Sequence, residues 1–272
     1  MTSSRPDNGS AVNGNGADDN SGAKEMSLIA HIEELRWTLI RCFCAVIICA
    51  VPCGIYWKRI FEFIAVYPLR LSDPAPRIIY TAPAETVMLS FKIAIVCGLV
   101  LASPFIFQQI WSFVSPALYK KEKRIVFPAA IASTFCFLSG VAFCYFLLPL
   151  LLKFLTAFAG EQIDPLFRID EYMGFLINLS LAFGLAFELP VAAFVLSKMG
   201  VISHRFLIKY WRYAVVLIFI AAAILTPPDV LSQILLAMPL IALYALSVLI
   251  AYLSNPSGRG APRPPAPPEN EQ

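Results

Sequence analysis

Six long blocks of apolar residues, separated by polar stretches, dominate the pattern of this 272-residue chain. A helix needs about 20 such residues to cross a hydrocarbon core about 30 Å thick, because each residue adds about 1.5 Å. The blocks therefore predict six transmembrane helices, and no connection between them is long enough to form a second domain. The predicted spans are residues 38–57, 86–113, 125–152, 174–197, 213–225 and 230–253.

The predicted fold class is an all-α integral membrane bundle whose fifth and sixth helices are short. The fifth block, 213–225, would measure only about 20 Å, so it needs either help from the amphipathic run 204–212 or a thinned bilayer around it. Proline removes a backbone donor and bends a helix, so prolines in or near the spans predict a bent, cup-like shape. These prolines are Pro104, Pro128, Pro149, Pro190 and Pro239.

Composition supports a membrane domain flanked by two tails. Hydrophobic residues make up 58% of the chain and charged residues 14%, far from the balance of a soluble domain. Residues 1–25 are rich in Gly, Asn, Ser and Asp, and residues 255–272 are rich in Pro, so both are expected to be disordered. The membrane domain is therefore predicted to cover residues 26–254.

The basic residues predict which side of the membrane each connection occupies. Fourteen Lys and Arg residues fall on the side that holds both termini, six fall on the other side, and Lys92 lies within a span. Cytoplasmic loops carry the excess of Lys and Arg, so both termini are expected in the cytoplasm. Within the last external turn, Asp229 is positioned to cap the final helix.

Glu188 is the most unusual residue of the spans, because it lies near the middle of the fourth. A charged side chain there costs about 2.5–3.5 kcal/mol on insertion scales. One account is a protonated carboxyl group bonded to a carbonyl that Pro190 leaves free. The functional account is a carboxyl group that lines a water-accessible cavity or meets a ligand.

Two further acids lie on the predicted cytoplasmic side. Glu34 belongs to a predicted amphipathic helix before the first span, where Glu33 and Arg36 could simply form a weak solvated pair. Glu122 interrupts a run of basic residues, which could neutralise it. Two carboxylates on one face are also suited to bind a pair of cations, and guanidinium donates two parallel hydrogen bonds to a carboxylate.

Enzymatic and metal-binding motifs are missing from the sequence. It has no Gly-rich phosphate loop, no His-Glu-x-x-His and no Gly-x-Ser-x-Gly, and it contains two histidines in all. The seven cysteines all fall within predicted spans, where Cys serves as a small apolar residue, and no partner stands at metal-ligand spacing. We therefore expect a protein that is not an enzyme and needs no cofactor.

Five motifs, in this order along a six-span chain, resemble the TatC family, the multispanning receptor component of the twin-arginine protein translocase. The resemblance extends from about residue 27 to about residue 253. The motifs are His31-x-x-Glu34-Leu35-Arg36, the run 104–109, Trp111-x-Phe113-x-x-Pro116-x-Leu118-Tyr119-Lys120-x-Glu122, Phe187-Glu188-x-Pro190 and Thr226-Pro227-Pro228-Asp229-x-x-Ser232-Gln233.

The resemblance implies a receptor in the bacterial inner membrane that binds the twin-arginine signal peptides of folded precursor proteins. It implies no nucleic-acid partner, and export that uses the proton-motive force. It also implies that small single-span subunits of the TatA or TatB type join a receptor complex in which this chain is a homo-oligomer. The implied signal-binding residues are Glu34, Arg36, Glu122 and Glu188, the implied partner-docking residues are Thr226 and Gln233, and the implied structural residues are Pro104, Pro116, Pro190, Pro227, Pro228 and Asp229.

The competing class is a secondary transporter that couples a solute or proton to Glu188. It predicts a central polar cavity, yet the spans supply little beyond Glu188 and Lys92, and Lys92 is expected to snorkel toward the outer interface. The chain also departs from the family pattern at two positions. It has Thr38 where the family often has a second basic residue, and Ala245 where the family often has a glutamate in the last span.

Overall fold

The computed structural model describes residues 18–71, 77–115, 126–157, 166–226 and 229–254, with side chains from residue 31 onward. The chain divides into two compact units, Met1–Arg41 and Cys42–Gln272. The helix assigned from Asp18 begins inside the segment for which composition predicts disorder. Residues 1–17 and 255–272, the rest of the predicted tails, lie outside the described residues, so the predicted domain boundaries stay a prediction.

Helices account for nearly all of the described chain. They are α1 (Asp18–Ile55), α2 (Trp57–Phe61), a π-helix (Glu62–Val66), α3 (Tyr67–Leu71), α4 (Pro83–Val114), α5 (Val126–Ala157), α6 (Ile169–Ala186), α7 (Leu189–Lys198), α8 (His204–Lys209), α9 (Trp211–Leu225) and α10 (Val230–Ser254). Five segments are long and apolar enough to cross a membrane, and α9 is a shorter apolar helix. The predicted helical membrane fold is therefore confirmed.

One expectation about the elements was wrong. The sixth span is not short, because α10 holds 25 residues and meets the length of a membrane crossing. Two three-residue strands that were not predicted also join this all-α fold: β1 (Arg77–Ile79) pairs in parallel with β2 (Leu166–Arg168). Three residues carry no readable period, so short strands within connections escape sequence patterns. The fifth span is short as expected, and α8 does not extend it, because the helix is interrupted at Tyr210.

The connection after α1 folds into a helical cap, residues 57–71, that contains the π-helix. Two tyrosines satisfy carbonyls of this cap: the Tyr145 hydroxyl donates to the Phe63 carbonyl and the Tyr172 hydroxyl to the Ala65 carbonyl, each at 3.0 Å. Ala65 and Leu69 of the cap are buried in a core with α4, α5 and α6. The cap is thus tied to the bundle by packing and by hydrogen bonds.

Glycines set the closest helix crossings. A Cβ on Gly140 of α5 would lie 2.6 Å from the Phe183 carbonyl oxygen of α6. Across the same crossing, a Cβ on Gly184 would lie 2.6 Å from the Phe137 ring, and one on Gly98 of α4 would meet the backbone of Ala50 in α1 at 2.8 Å. Small residues let membrane helices approach this closely, since lipid offers no hydrophobic force to drive them together.

The fourth span is broken in two. Helix α6 ends at Ala186 and α7 begins at Leu189, with Pro190 in the first turn of α7, where its missing N–H costs nothing. The amide of Glu188 bonds the Leu185 carbonyl at 3.1 Å in a tightened turn, and the Glu188 carbonyl then accepts from Ala192 at 2.9 Å. The break therefore sets the direction in which the Glu188 side chain leaves the backbone.

Candidate functional site

Glu188 lies at the N-cap position of α7, inside the segment Ile169–Lys198 that is long enough to span a membrane. The close α5–α6 crossing at Gly140 and Gly184 brings α5 against this break. As a result the carboxyl group lies beside the Ser133 hydroxyl and the backbone of Phe137, both on α5. The sequence predicted an unusual carboxyl group here, and the fold places it in a helix interface.

The polar surroundings of Glu188 extend to a third helix. The indole Nε1 of Trp111 on α4 donates to the Ser133 hydroxyl oxygen at 2.9 Å. Ser133 is 1% exposed, and with its oxygen occupied by the indole its own proton is available for the carboxyl group. Trp111 and Ser133 were not predicted as site residues. Trp111 begins the third of the motifs that resemble the TatC family, whereas Ser133 is a small polar residue in an apolar span and gives no signal in the sequence.

The carboxyl group is incompletely satisfied. Its Oε1 is buried, and no hydrogen-bond partner for it exists among the residues described here. The polar neighbours of the carboxyl group are Ser133 and the backbone of Phe137, so its predicted bond to the carbonyl that Pro190 leaves free stays a prediction. A buried polar atom without a partner costs about 1–3 kcal/mol, which makes the group a candidate for meeting a ligand.

Two cavities in the described part of the chain differ from the polar cavity that a secondary transporter requires. They measure about 750 and 620 Å³, their lining is almost wholly apolar, and Glu188 lines neither of them. Lys92, which lies within the second span, forms an ion pair with Asp170 at the start of α6. The sequence predicted that this side chain extends toward the outer interface, but it did not predict an ion pair with Asp170.

The first unit carries the predicted N-terminal acid. Glu34 and Arg36 lie on α1, and both side chains are exposed. The Glu34 carboxylate has His31 Nδ1 as an ionic neighbour at 3.8 Å, a separation too long for a hydrogen bond. Glu122 lies outside the described residues, and so do Pro116, Pro227 and Pro228, which leaves their predicted roles as predictions.

The last two helices hold the predicted docking residues. The Thr226 hydroxyl is buried and donates to the Ala222 carbonyl at 2.8 Å, within its own helix end. The Gln233 amide donates to the Phe219 carbonyl of α9 at 3.0 Å and remains partly exposed. Asp229 caps α10, because its Oδ2 accepts from the Ser232 amide at 2.8 Å. Of the two predicted docking residues, Gln233 is therefore the one that keeps part of its polar surface exposed.

A charged cluster that the sequence did not reveal lies where the two strands meet the helices. We name it the strand-pair cluster, and it consists of Glu85, Lys92, Arg168, Asp170 and Glu171. Arg168 donates to Glu171 at 2.9 Å and to Glu85 at 3.2 Å, while the amide and hydroxyl of Thr81 also donate to Glu85. The hydrogen bond to Glu85 and the nearby carboxylates raise the pKa of Arg168 above its usual range.

These observations define a class: a polytopic helical membrane protein with a polar group inside a broken span. The sequence adds no catalytic motif to this picture. Comparison with known proteins then narrows the class to one family.

The family model described as "Sec-independent protein translocase protein (TatC)" matches residues 30–239. The chain is 40% identical over 228 residues to the TatC protein of Helicobacter pylori strain J99, covering 84% of this chain and 89% of that protein. It is 38% identical over 233 residues to TatC of Aquifex aeolicus, covering 85% and 96%. A crystal structure of a twin-arginine translocase receptor TatC matches with a TM-score of 0.75 and 38% identity, over 82% of this chain and 99% of that one.

The chain belongs to the TatC family. It is a multi-pass membrane protein and a receptor subunit of the twin-arginine translocase, so the predicted fold class and function are confirmed. Family membership also confirms the expectation of a transport receptor in place of an enzyme, and it excludes the secondary transporter as the main activity.

Proposed function

We propose that this receptor lies in a bacterial cytoplasmic membrane, with both termini in the cytoplasm, and that it binds twin-arginine signal peptides there. The 14-to-6 distribution of basic residues supports this orientation. The pairing of β1 with β2 also fits it, since the two external connections that carry these strands must then share one side. In this proposal Glu34 and Glu122 accept the two guanidinium groups of the signal, and Arg36 belongs to the same motif.

The observation that carries the proposal is the state of Glu34. Its carboxylate is about half exposed, and the ionic neighbour at 3.8 Å leaves both oxygens available to donors from a ligand. A planar guanidinium can supply two parallel donors to such a carboxylate. Positive-inside topology explains the basic residues of this side of the membrane, but it does not explain an exposed acid among them.

A double-mutant cycle tests this site. Glu34→Ala and Glu122→Ala should each weaken binding of a signal peptide by about ten-fold or more if the site is partly dry, because truncating one partner of a desolvated pair costs about 2–5 kcal/mol. Each variant is combined with an Arg→Gln change in the peptide, and binding is measured by titration in detergent. Glu33→Ala serves as the matched control, since Glu33 is an exposed acid next to Glu34. Additive effects would show that these acids do not contact the arginines.

We further propose that Glu188 meets the bound signal. Its buried oxygen lacks a partner in the described chain, and a donor from a ligand would supply one. Glu188→Gln keeps a polar acceptor of similar shape, whereas Glu188→Ala removes it. Signal binding should therefore fall more in the alanine variant than in the glutamine variant. Equal binding by both variants and the parent chain would remove Glu188 from the site.

The α9–α10 edge is proposed to seat a single-span partner subunit. Thr226 is buried and would support the turn, while Gln233 would contact the partner helix near the outer surface of the membrane. Polar contacts between membrane helices contribute about 0.6–2 kcal/mol, so Gln233→Leu should weaken cross-linking to the partner without unfolding the chain. Tyr244→Phe is the control, because it also removes one bond from α10 to a neighbouring carbonyl, that of Leu207. Equal loss in both variants would indicate a general effect of helix packing.

A further inference from the structure

The helical cap carries three charged side chains around one shallow depression of about 300 Å³. Arg59, Glu62 and Arg70 line it together with Tyr67. All three charged side chains are exposed, and no ion pair joins them to each other or to another residue of the described chain. Two guanidinium groups and one carboxylate are thus held near each other on residues 57–71 without neutralising partners.

The depression adjoins a much larger apolar groove. The groove measures about 750 Å³ and shares Arg59 and Phe63 with the depression, so the two adjoin at these residues and together make up one concavity of the cap and the bundle. Apart from Arg59 and Ser180, its lining is apolar and aromatic and comes from the cap, the end of α1 and helices α4, α5 and α6. A charged opening on a long apolar groove matches the build of an amphiphile with one headgroup.

The depth of the groove matches one leaflet of a bilayer. On α6 it extends from Met173, near the start of the helix, to Leu181, and on α5 from Leu138 to Phe146. Eight residue steps correspond to about 12 Å, close to half of a hydrocarbon core of about 30 Å. The groove ends before Glu188, which does not line it. A helix that crosses the membrane would need about twice this length.

We propose that this concavity is a binding site for a glycerophospholipid whose headgroup carries a primary ammonium group. The acyl chain lies in the apolar groove, the phosphate accepts from Arg59 and Arg70, and the ammonium donates to Glu62. Arginine is suited to phosphate because its planar fork gives bidentate hydrogen bonds. The carboxylate selects a headgroup with N–H donors over a quaternary ammonium, which has none.

Native mass spectrometry of the full chain, purified in detergent, tests the proposal with three added lipids. These are dioleoyl phosphatidylethanolamine, the matching phosphatidylcholine and the matching phosphatidylglycerol. One phosphatidylethanolamine should remain bound, about 1.4- to five-fold more tightly than either other lipid, which is the range that exposed charge pairs give. Equal retention of all three lipids would overturn the headgroup assignment.

Variants then separate the parts of the site. Arg59→Gln with Arg70→Gln should weaken all three lipids, because each carries a phosphate, whereas Glu62→Gln should lower phosphatidylethanolamine to the level of phosphatidylcholine. Ala142→Trp, at an exposed position lining the groove, should weaken every lipid by filling the space of the chain. Unchanged lipid retention in the double arginine variant or in Ala142→Trp would overturn the proposal.

Two substitutions outside the concavity serve as controls. Lys58→Gln removes an exposed cation next to Arg59 that lines neither cavity, and Val87→Trp adds the same bulk on an exposed face of α4 away from the groove. Both should keep the parent's lipid retention. Should either control lose the lipid as fully as its matched variant, the retained lipid would belong to the general lipid shell and the site would be refuted.

Discussion

The strand-pair cluster and the Glu188 site both place charged groups at the junctions of packed helices, and they treat these groups in opposite ways. In the cluster, Glu85, Asp170 and Glu171 each accept a hydrogen bond from a basic side chain. In the Glu188 site, a buried carboxyl oxygen lacks a partner in the described chain, although Ser133 and Trp111 stand close by. The strand-pair cluster pairs its charged groups within the chain, whereas Glu188 keeps one carboxyl oxygen without a partner in the described chain.

The difference separates groups that hold the fold from groups that await a ligand. A paired charge restrains the two elements that carry it, but it has little left to offer to another molecule. A carboxyl group that is buried and only partly satisfied destabilises the free protein and gains a partner on binding, which is how sites trade stability for function. Three predictions test this division.

The largest effect is expected where α5 and α6 cross, because this crossing carries the Glu188 site. Gly140→Val would press a side chain into the Phe183 carbonyl oxygen, which lies 2.6 Å from an added Cβ. Overpacking against backbone cannot relax by a rotamer change, so the free energy of unfolding should fall toward the upper end of about 1–3 kcal/mol. Denaturant titration of the detergent-purified chain measures it.

Gly174→Val is the control for that substitution, because an added Cβ at Gly174 on α6 meets nothing within 4 Å. It should leave the unfolding free energy close to that of the parent. If both glycine variants were equally unstable, the cause would be the loss of glycine itself and the close crossing would not matter.

An intermediate effect of opposite sign is expected at Glu188. Glu188→Leu removes a buried oxygen that has no partner in the described chain, so it should raise the unfolding free energy by about 1–2 kcal/mol while it abolishes the contribution of this residue to signal binding. Stability and peptide binding are measured on the same preparation. A destabilised Glu188→Leu protein would place Glu188 with the strand-pair cluster, as a group that holds the fold.

The smallest effect is expected for the Lys92–Asp170 pair. Both side chains are more than 40% exposed, so solvent screens the pair and its coupling should be only about 0.2–1 kcal/mol. A double-mutant cycle with Lys92→Met and Asp170→Asn measures this coupling, and signal binding should stay unchanged in all three variants. Loss of signal binding in these variants would show that the cluster is part of the recognition site.

The spans could be predicted from the sequence, because a membrane crossing requires a length and a composition that the apolar blocks display directly. It also reached Glu188, because one acid in an apolar span is visible without any structure. The break at residues 187–188 follows from Pro190, whose ring cannot continue the hydrogen-bond ladder. Each of these features depends on residues that are close together in the sequence, so a local pattern is enough to predict it.

Pairings between distant segments could not be predicted in the same way. Arg168 and Glu85 stand far apart in sequence, and their contact exists only because β1 and β2 lie side by side. Ser133 lies beside Glu188 because α5 and α6 cross closely at Gly140. The periodicity of the sequence does not reveal that crossing. Two carbonyls of the π-helix in the cap accept hydrogen bonds from tyrosines of two later helices, and no pattern within residues 57–71 could indicate these contacts.

The strand pair has a consequence for the biogenesis of the protein. During synthesis β1 emerges after the first span and β2 only after the third, so the two can meet only once three spans have been inserted. If one of the two intervening spans failed to cross, the strands would end up on opposite faces of the bilayer and could not pair. The small sheet and the Glu85–Arg168 contact can therefore form only in chains whose insertion leaves both connections on the same side of the membrane.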